Sequence, residues 1–592
     1  MDVIDPDLDL ISFSRTFPAN RPRLRRDPPV FEIGLTLGGT VSAGAYTAGV
    51  LDYLMEALDA WALSRQKGEA VPPHDVCIST IGGTSGGAIN GGILLRAAGW
   101  DYPHGPHPEN PFYRAWTTGV DLAALLRAEH RADGQRGFRS LLDAEAIDRQ
   151  AEAIIGASGR ALGEASELRA RPYLADPLRL IMMVGNITGV PYRIALSNDV
   201  GLAHDMREHA DAVRFALEVP GGFRNEPGLI PGFEIDLRSR EAENWPLLRE
   251  AALATSAFPL AFPSRALRRR LDSFFWRAVA VPEENGVRVL PLRPHLKALR
   301  DIAEQEMVPS VHVDGGVINN EPLDMVRTAL AGLAGRNPRG AMQAHRAVLL
   351  VDPFSGPEKL GPHLPPEIPK LLLPFVMALI YQARFKPMDV ALALQTSIYS
   401  RFLIAPAGPW DSAPEERRVG DMAIAAGGLG GFLGFFDSSF LDHDFRLGRR
   451  NAHDFLARHF VLPAGHPLFR DWPEDAYKRA CLVERPNGPH LPIIPLMQPL
   501  RDAPPEMPQH LPKLDAWPAA MDRHIERRLD AVFRELRDWA SPSHWFWRWT
   551  LHGLSGLAWR LAGRRELRKA AADVLRKALE ERSLLDPPRD GR

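Results

Sequence analysis

Residues Ile81-Gly82-Gly83-Thr84-Ser85-Gly86-Gly87-Ala88 constrain this chain more than any other stretch, because they set a serine between glycines as Gly83-x-Ser85-x-Gly87. That spacing is the pattern of a sharp strand-to-helix turn, an elbow that thrusts a serine hydroxyl out of the backbone. The glycines are needed sterically, since a Cβ beside a strained serine would clash with adjacent backbone and crowd an approaching carbonyl. The flanks agree with the turn. Asp75-Val76-Cys77-Ile78-Ser79-Thr80-Ile81 reads as a buried strand, and residues 88–95 read as the start of a helix.

Strand-like and helix-like segments alternate around this elbow. Residues 31–37 form a strand candidate that runs into Gly38-Gly39, followed by a helical stretch at 48–58. Further strands are expected at 178–185, 192–197, 310–313 and 347–352. Such alternation predicts an α/β fold, a mostly parallel sheet covered by helices, over residues 30–352. Residues 1–29 read as a flexible leader with a basic run at 21–26. Residues 353–480 read as a mainly helical extension packing on the core, with apolar stretches at 371–381 and 425–436. Both stretches read better as core helices than as walls of an acyl pocket. Ten prolines between 486 and 518 preclude a continuous helix, so 481–518 reads as a connector. Helical periodicity returns in the tail, 519–592.

At 592 residues the chain has ample material for a core. A net charge of -2 argues against nucleic-acid binding. Cys77 and Cys481, far apart in sequence, read as unpaired thiols. Met1-Asp2-Val3-Ile4-Asp5 carries acid where a secretory signal needs base. The strongest apolar stretch, 371–381, is too short to span a bilayer. The default expectation is therefore a cytoplasmic protein. No metal-ligand cluster is apparent and no cofactor is expected. Trp539, Trp545, Trp547, Trp549 and Trp559 stand near a local excess of Lys and Arg in the tail. That composition suits peripheral contact with a membrane, although packing of the tryptophans on the core is the simpler reading. Nothing in the sequence specifies an oligomeric state.

A serine hydroxyl needs a base to take its proton. Val311-His312-Val313-Asp314-Gly315-Gly316 supplies a candidate: an apolar strand delivers Asp314 to its carboxyl end, where open α/β sheets bind ligands. His312, two residues earlier, reads as a structural histidine, and Asp352 as a turn aspartate. Leu37-Gly38-Gly39-Thr40-Val41-Ser42-Ala43-Gly44 is a glycine-rich strand-to-helix turn. The backbone N–H groups of Gly38, Gly39, Thr40 and Val41 could hold a negative oxygen beside Ser85, or could cradle a phosphate. The run has neither the G-x-G-x-x-G order nor a P-loop lysine.

Together these three features resemble the patatin-like phospholipases, lipid acyl hydrolases with a Ser–Asp dyad. The resemblance covers roughly residues 31–352. It implies that Ser85 is the nucleophile, Asp314 the base and a lipid the substrate, with an acyl-enzyme intermediate and no cofactor. Asn186-Ile187-Thr188-Gly189-Val190-Pro191-Tyr192 and Ala254-Thr255-Ser256-Ala257-Phe258-Pro259 are also similar to family segments. Asp442-His443-Asp444-Phe445-Arg446-Leu447-Gly448-Arg449-Arg450-Asn451 resembles part of the longer bacterial members. The departure lies in the loop. The family has three glycines followed shortly by Arg or Lys; here Gly38-Gly39 leads to Thr40, the spacing to Gly44 is one residue longer, and the basic residue is missing. Two rivals follow: a catalytically weak lipid-binding or scaffolding protein, and another acyl-transfer hydrolase such as a thioesterase or protease.

Overall fold

The structure is a computed structural model. It describes residues 18–128, 139–156, 169–195, 203–224, 234–237, 244–274, 277–284, 286–294, 307–319, 322–355, 371–408 apart from 372, 373, 376, 377, 380 and 385, then 418–473, 476–539 and 563–585.

The elements that position the site are β1 (Val30–Leu37), α1 (Gly44–Gln66), β2 (Asp75–Thr84), α2 (Gly86–Ala97), β3 (Leu174–Ala195), β4 (Ala203–Leu217), α3 (Trp245–Thr255), β5 (Arg265–Arg270), β6 (Met307–Asp314), β7 (Arg346–Val351), β8 (Arg401–Ile404) and α4 (Ser438–Arg458). The main sheet runs β8-β7-β1-β2-β3-β6-β5. Its first five strands are parallel, as expected. β6 then pairs antiparallel with β3, β5 pairs antiparallel with β6, and β4 pairs antiparallel with β3. The sheet is therefore mostly parallel but mixed. All eight residues of β1 are buried, the continuous burial of a strand covered on both faces.

β3 is one long strand where the sequence suggested two. It crosses an irregularity between Gly185 and Val190. Its length matters: Met183 pairs with Thr84 on β2, and Val184 pairs with Asp314 on β6.

The expected helix at 48–58 is the middle of α1, which is buried over most of its length. Its outer side is covered by α4. The two backbones meet at glycines, since a Cβ on Gly49 would collide with the Phe445 carbonyl and one on Gly448 with the Tyr46 carbonyl. Asn451 of α4 accepts the Tyr46 hydroxyl at 3.1 Å.

Three expectations need correction. The sheet does not end at Asp352, because β8 adds an edge strand inside a region read as mainly helical. The described end of the leader is not free of the core: Arg21 N–H donates to the Ala331 carbonyl at 2.8 Å, and its guanidinium pairs with Glu32 at 3.0 Å. Within 371–381, Phe375, Leu379 and Tyr381 are exposed rather than in the core. Apolar composition alone does not say which side of a short helix meets a neighbour.

Two C-terminal helices, α5 (Met521–Trp539) and α6 (Arg564–Glu581), pack together through Arg564, which pairs with Glu526 at 2.9 Å and Asp530 at 3.0 Å. Arg528 anchors α5 by donating to the carbonyls of Leu141, Arg127 and Ser140. The cluster Trp545, Trp547, Trp549 and Trp559 lies outside the described residues, as does the side chain of Trp539. Among the described residues, no helix is long and apolar enough to cross a membrane.

Candidate active site

β2 ends at Thr84, and α2 begins at Gly86. Ser85 sits between them with φ 49° and ψ -129°, a left-handed strained conformation. The close approach that makes glycine necessary is visible at Gly87, where a Cβ would collide with the carbonyl oxygens of Leu37 and Gly38. At Gly83 it would stand 2.7 Å from the Ala88 nitrogen. The elbow is thus pressed against the end of β1 and the loop that follows it.

Ser85 is held by a residue 170 positions away. Its N–H donates to the Thr255 hydroxyl at 2.8 Å, and that hydroxyl donates to the Met183 carbonyl at 2.6 Å. Two residues on, the Ala257 carbonyl accepts the N–H of Asp314 at 2.9 Å. The end of α3 therefore fixes both Ser85 and Asp314.

Asp314 arrives on β6, which runs opposite to β2. It still reaches the same rim, because β3 continues beyond β2 and lets β6 descend alongside it until Asp314 is level with Val184. The Ser85 hydroxyl lies close enough to the Asp314 carboxyl to favour its charged form. Gly316 N–H donates to Asp314 Oδ1 at 2.7 Å. Burial outweighs both of these neighbours and pushes the carboxyl up to about 7 from the usual 3.8.

Both residues line one cavity of about 100 Å³. Its wall is mostly apolar, with Ile89, Ile154, Leu253, Phe258, Phe262 and Phe435 among the contributors. Gln150 also lines it, but its amide is spent on the carbonyls of Arg114 and Ala115. Phe435 comes from the glycine-rich stretch 425–436. That stretch forms a chain of short 3-10 turns rather than a helix, and so reaches the cavity as well as the core.

The loop after β1 lies beside the elbow. A Cβ on Gly86 would collide with the Thr40 hydroxyl. Gly38 N–H is already committed to the Val351 carbonyl at 3.2 Å, as a rung between β1 and β7. That leaves Gly39, Thr40 and Val41 as candidate donors in the loop. Val41 lines the cavity with φ 47°, an outlier for a β-branched residue. Sequence reasoning did not single out Gly86 as a donor, although it follows the serine, opens α2 and lines the cavity. The first N–H groups of a helix lack intrahelical acceptors, and no side chain caps this terminus.

The sequence profile of the patatin-like phospholipases matches residues 35–327. A protein of Sinorhizobium fredii named "Uncharacterized protein y4iI" is 34% identical over 555 residues, which cover 86% of this chain and 76% of the relative. The chain belongs to the patatin-like phospholipase family. Membership places it with lipid acyl hydrolases.

Other polar residues fall outside this patatin-like cavity. His312 is fully buried, 3.7 Å from Asp211, in a knot that also binds Arg269, Arg277 and Asn186. Burial lowers its pKa to about 4. Both Asp352 carboxylate oxygens accept from one Arg384 nitrogen, Nη2, at 2.8 and 2.9 Å, and Asp352 accepts Phe354 N–H in its own turn. Asn186 accepts Gly189 N–H, a turn role, while Asn90 links the Gly44 carbonyl to the Trp116 indole. Neither Cys77 nor Cys481 forms a disulfide.

Proposed function

We propose that this protein is a serine lipid acyl hydrolase that cleaves fatty-acyl esters of phospholipids or related lipids through Ser85 and Asp314. Ser85 Oγ attacks the ester carbonyl carbon while Asp314 takes the hydroxyl proton. The resulting oxyanion is held by backbone N–H groups of Gly39, Thr40 or Val41, together with that of Gly86 at the positive end of α2. Collapse of the intermediate breaks the bond to the alcohol or lysolipid, which leaves with the proton. Water then attacks the acyl-serine, Asp314 again accepting a proton, and the fatty acid departs.

The observation that carries this reading is that Ser85 and Asp314 meet at the head of one apolar cavity. A base poised near neutrality is matched to its task, ionised often enough to act yet basic enough to pull a proton. An apolar wall favours an acyl chain over a polar substrate. Purified protein should release fatty acid from phospholipid vesicles and from a chromogenic medium-chain ester. Ser85→Ala and Asp314→Asn should each abolish the release. An inactive wild type would favour a lipid-binding role, and cleavage of thioesters or peptides with phospholipids left intact would favour another acyl-transfer class.

A further inference from the structure

No side chain of the loop 38–43 hydrogen-bonds back onto the loop to hold its strained residue. Thr40 Oγ1 has no hydrogen-bond partner, and the 3-10 turn Val41–Ala43 has no side-chain cap. A β-branched residue at φ 47° persists only where the surroundings over-determine it. Ser42 supplies that constraint. Its side chain is fully buried; its Oγ donates to the Gly431 carbonyl and accepts Gly434 N–H at 3.1 Å. These partners lie almost 400 residues further along the chain. Gly431 itself has φ 99°, and a Cβ there would stand 2.7 Å from the Thr40 carbonyl oxygen and 3.1 Å from Val41 Cβ. Only a glycine allows the two segments to come this close.

The far segment is itself anchored. Asp444 on α4 accepts the N–H groups of Ala425 and Ala426 at 2.7 and 2.9 Å. Phe432 packs edge-on against Phe258, with centroids 5.8 Å apart. A continuous set of contacts thus runs from α4 through the glycine-rich turn to Ser42, and from there to the loop beside Ser85.

We infer that Ser42 is a positioning residue, which clamps the loop 39–41 to the glycine-rich turn 428–434 and so aims the loop's amides at the oxyanion. The inference rests on the acyl-hydrolase reading above, because it concerns the donors that reading uses.

The test uses the full chain with a chromogenic ester and with a fluorophosphonate, whose adduct on Ser85 also places an oxygen among these donors. Ser42→Ala should lower kcat by about 10- to 100-fold, short of the loss from deleting a donor outright. KM should stay within about twofold, and phosphonate inactivation should slow in parallel with kcat. Ser42→Thr restores the hydroxyl and should recover most of kcat, which keeps the inference testable if the alanine variant fails to melt cooperatively. Unchanged kcat in Ser42→Ala, a loss confined to KM, or a threonine variant as poor as the alanine one would overturn it. Full turnover in Ser85→Ala would overturn the serine reading, and with it the clamp. That result is read from a different variant in the same assay.

Discussion

The Thr255 hydroxyl accepts the backbone N–H of Ser85 at 2.8 Å, so the elbow is pinned from outside the motif that defines it. Thr255→Val keeps the volume and removes the hydroxyl, leaving the Ser85 N–H and the Met183 carbonyl buried without this partner. A loss of about 1–3 kcal/mol in urea unfolding is expected. Misplacing the serine should also lower kcat by about tenfold or more with little change in KM. A variant as stable and as active as wild type would show that the pin is dispensable.

Asp314 links activity and stability to pH in opposite senses. Its folded pKa of about 7 lies above the ordinary 3.8, so the folded state favours the protonated form. That contribution is fully present below about pH 4 and is lost as pH rises through 7. The gap corresponds to roughly 4 kcal/mol. Asp314→Asn cannot ionise and should therefore unfold at higher urea than wild type at pH 8.5, with the advantage vanishing near pH 4. The same variant should lose at least about 10³-fold in kcat. In wild type, kcat/KM should climb with pH through about 7, since only the carboxylate can take the serine proton. Denaturation curves and a pH–rate profile measure both halves.

Gly87→Ala places a methyl group where the Leu37 and Gly38 carbonyls already stand. Those are backbone atoms and yield only if the elbow or the loop moves. Ester hydrolysis should fall by about 100-fold or more, with a lower melting temperature. Retained turnover would mean that the contact relaxes at little cost.

His312 is expected to act as scaffold. Burial keeps its ring neutral at pH 7, facing Asp211. His312→Gln should cost about 1–2 kcal/mol of stability, leave kcat within about threefold, and leave the pH–rate midpoint where it was. A shifted midpoint would give this histidine a part in proton transfer.

The elbow was legible because its information is local: a strand, a serine and glycines within a few positions dictate one turn. Asp314 was legible as a residue but not as a geometry. The expectation of a strand delivering it at the carboxyl end of a parallel sheet located the right rim, whereas β6 in fact runs antiparallel. Strand polarity depends on partners more than a hundred residues away, and nothing in the run 311–316 encodes it. β8, only four residues long, leaves too short a pattern to separate from its helical surroundings. Thr255 lay in a segment recognised by resemblance, yet its hydrogen bonds go to backbone atoms and have no sequence signature. The same is true of Ser42, whose partners come from a stretch that composition described only as apolar and glycine-rich.

The glycine-to-backbone crossing of α1 and α4 bears on how this protein can be handled. A fragment trimmed near residue 327 or 352, where the matched region or the first seven sheet elements suggest a boundary, would strip a long greasy helix of its cover and take the Gly431 and Gly434 anchors with it. Such a fragment should aggregate on expression instead of yielding a soluble species with a single melting transition, and a truncation series would reveal where solubility returns. The patatin-like module and the segment around α4 are in that sense one indivisible body, joined across almost 400 residues of sequence.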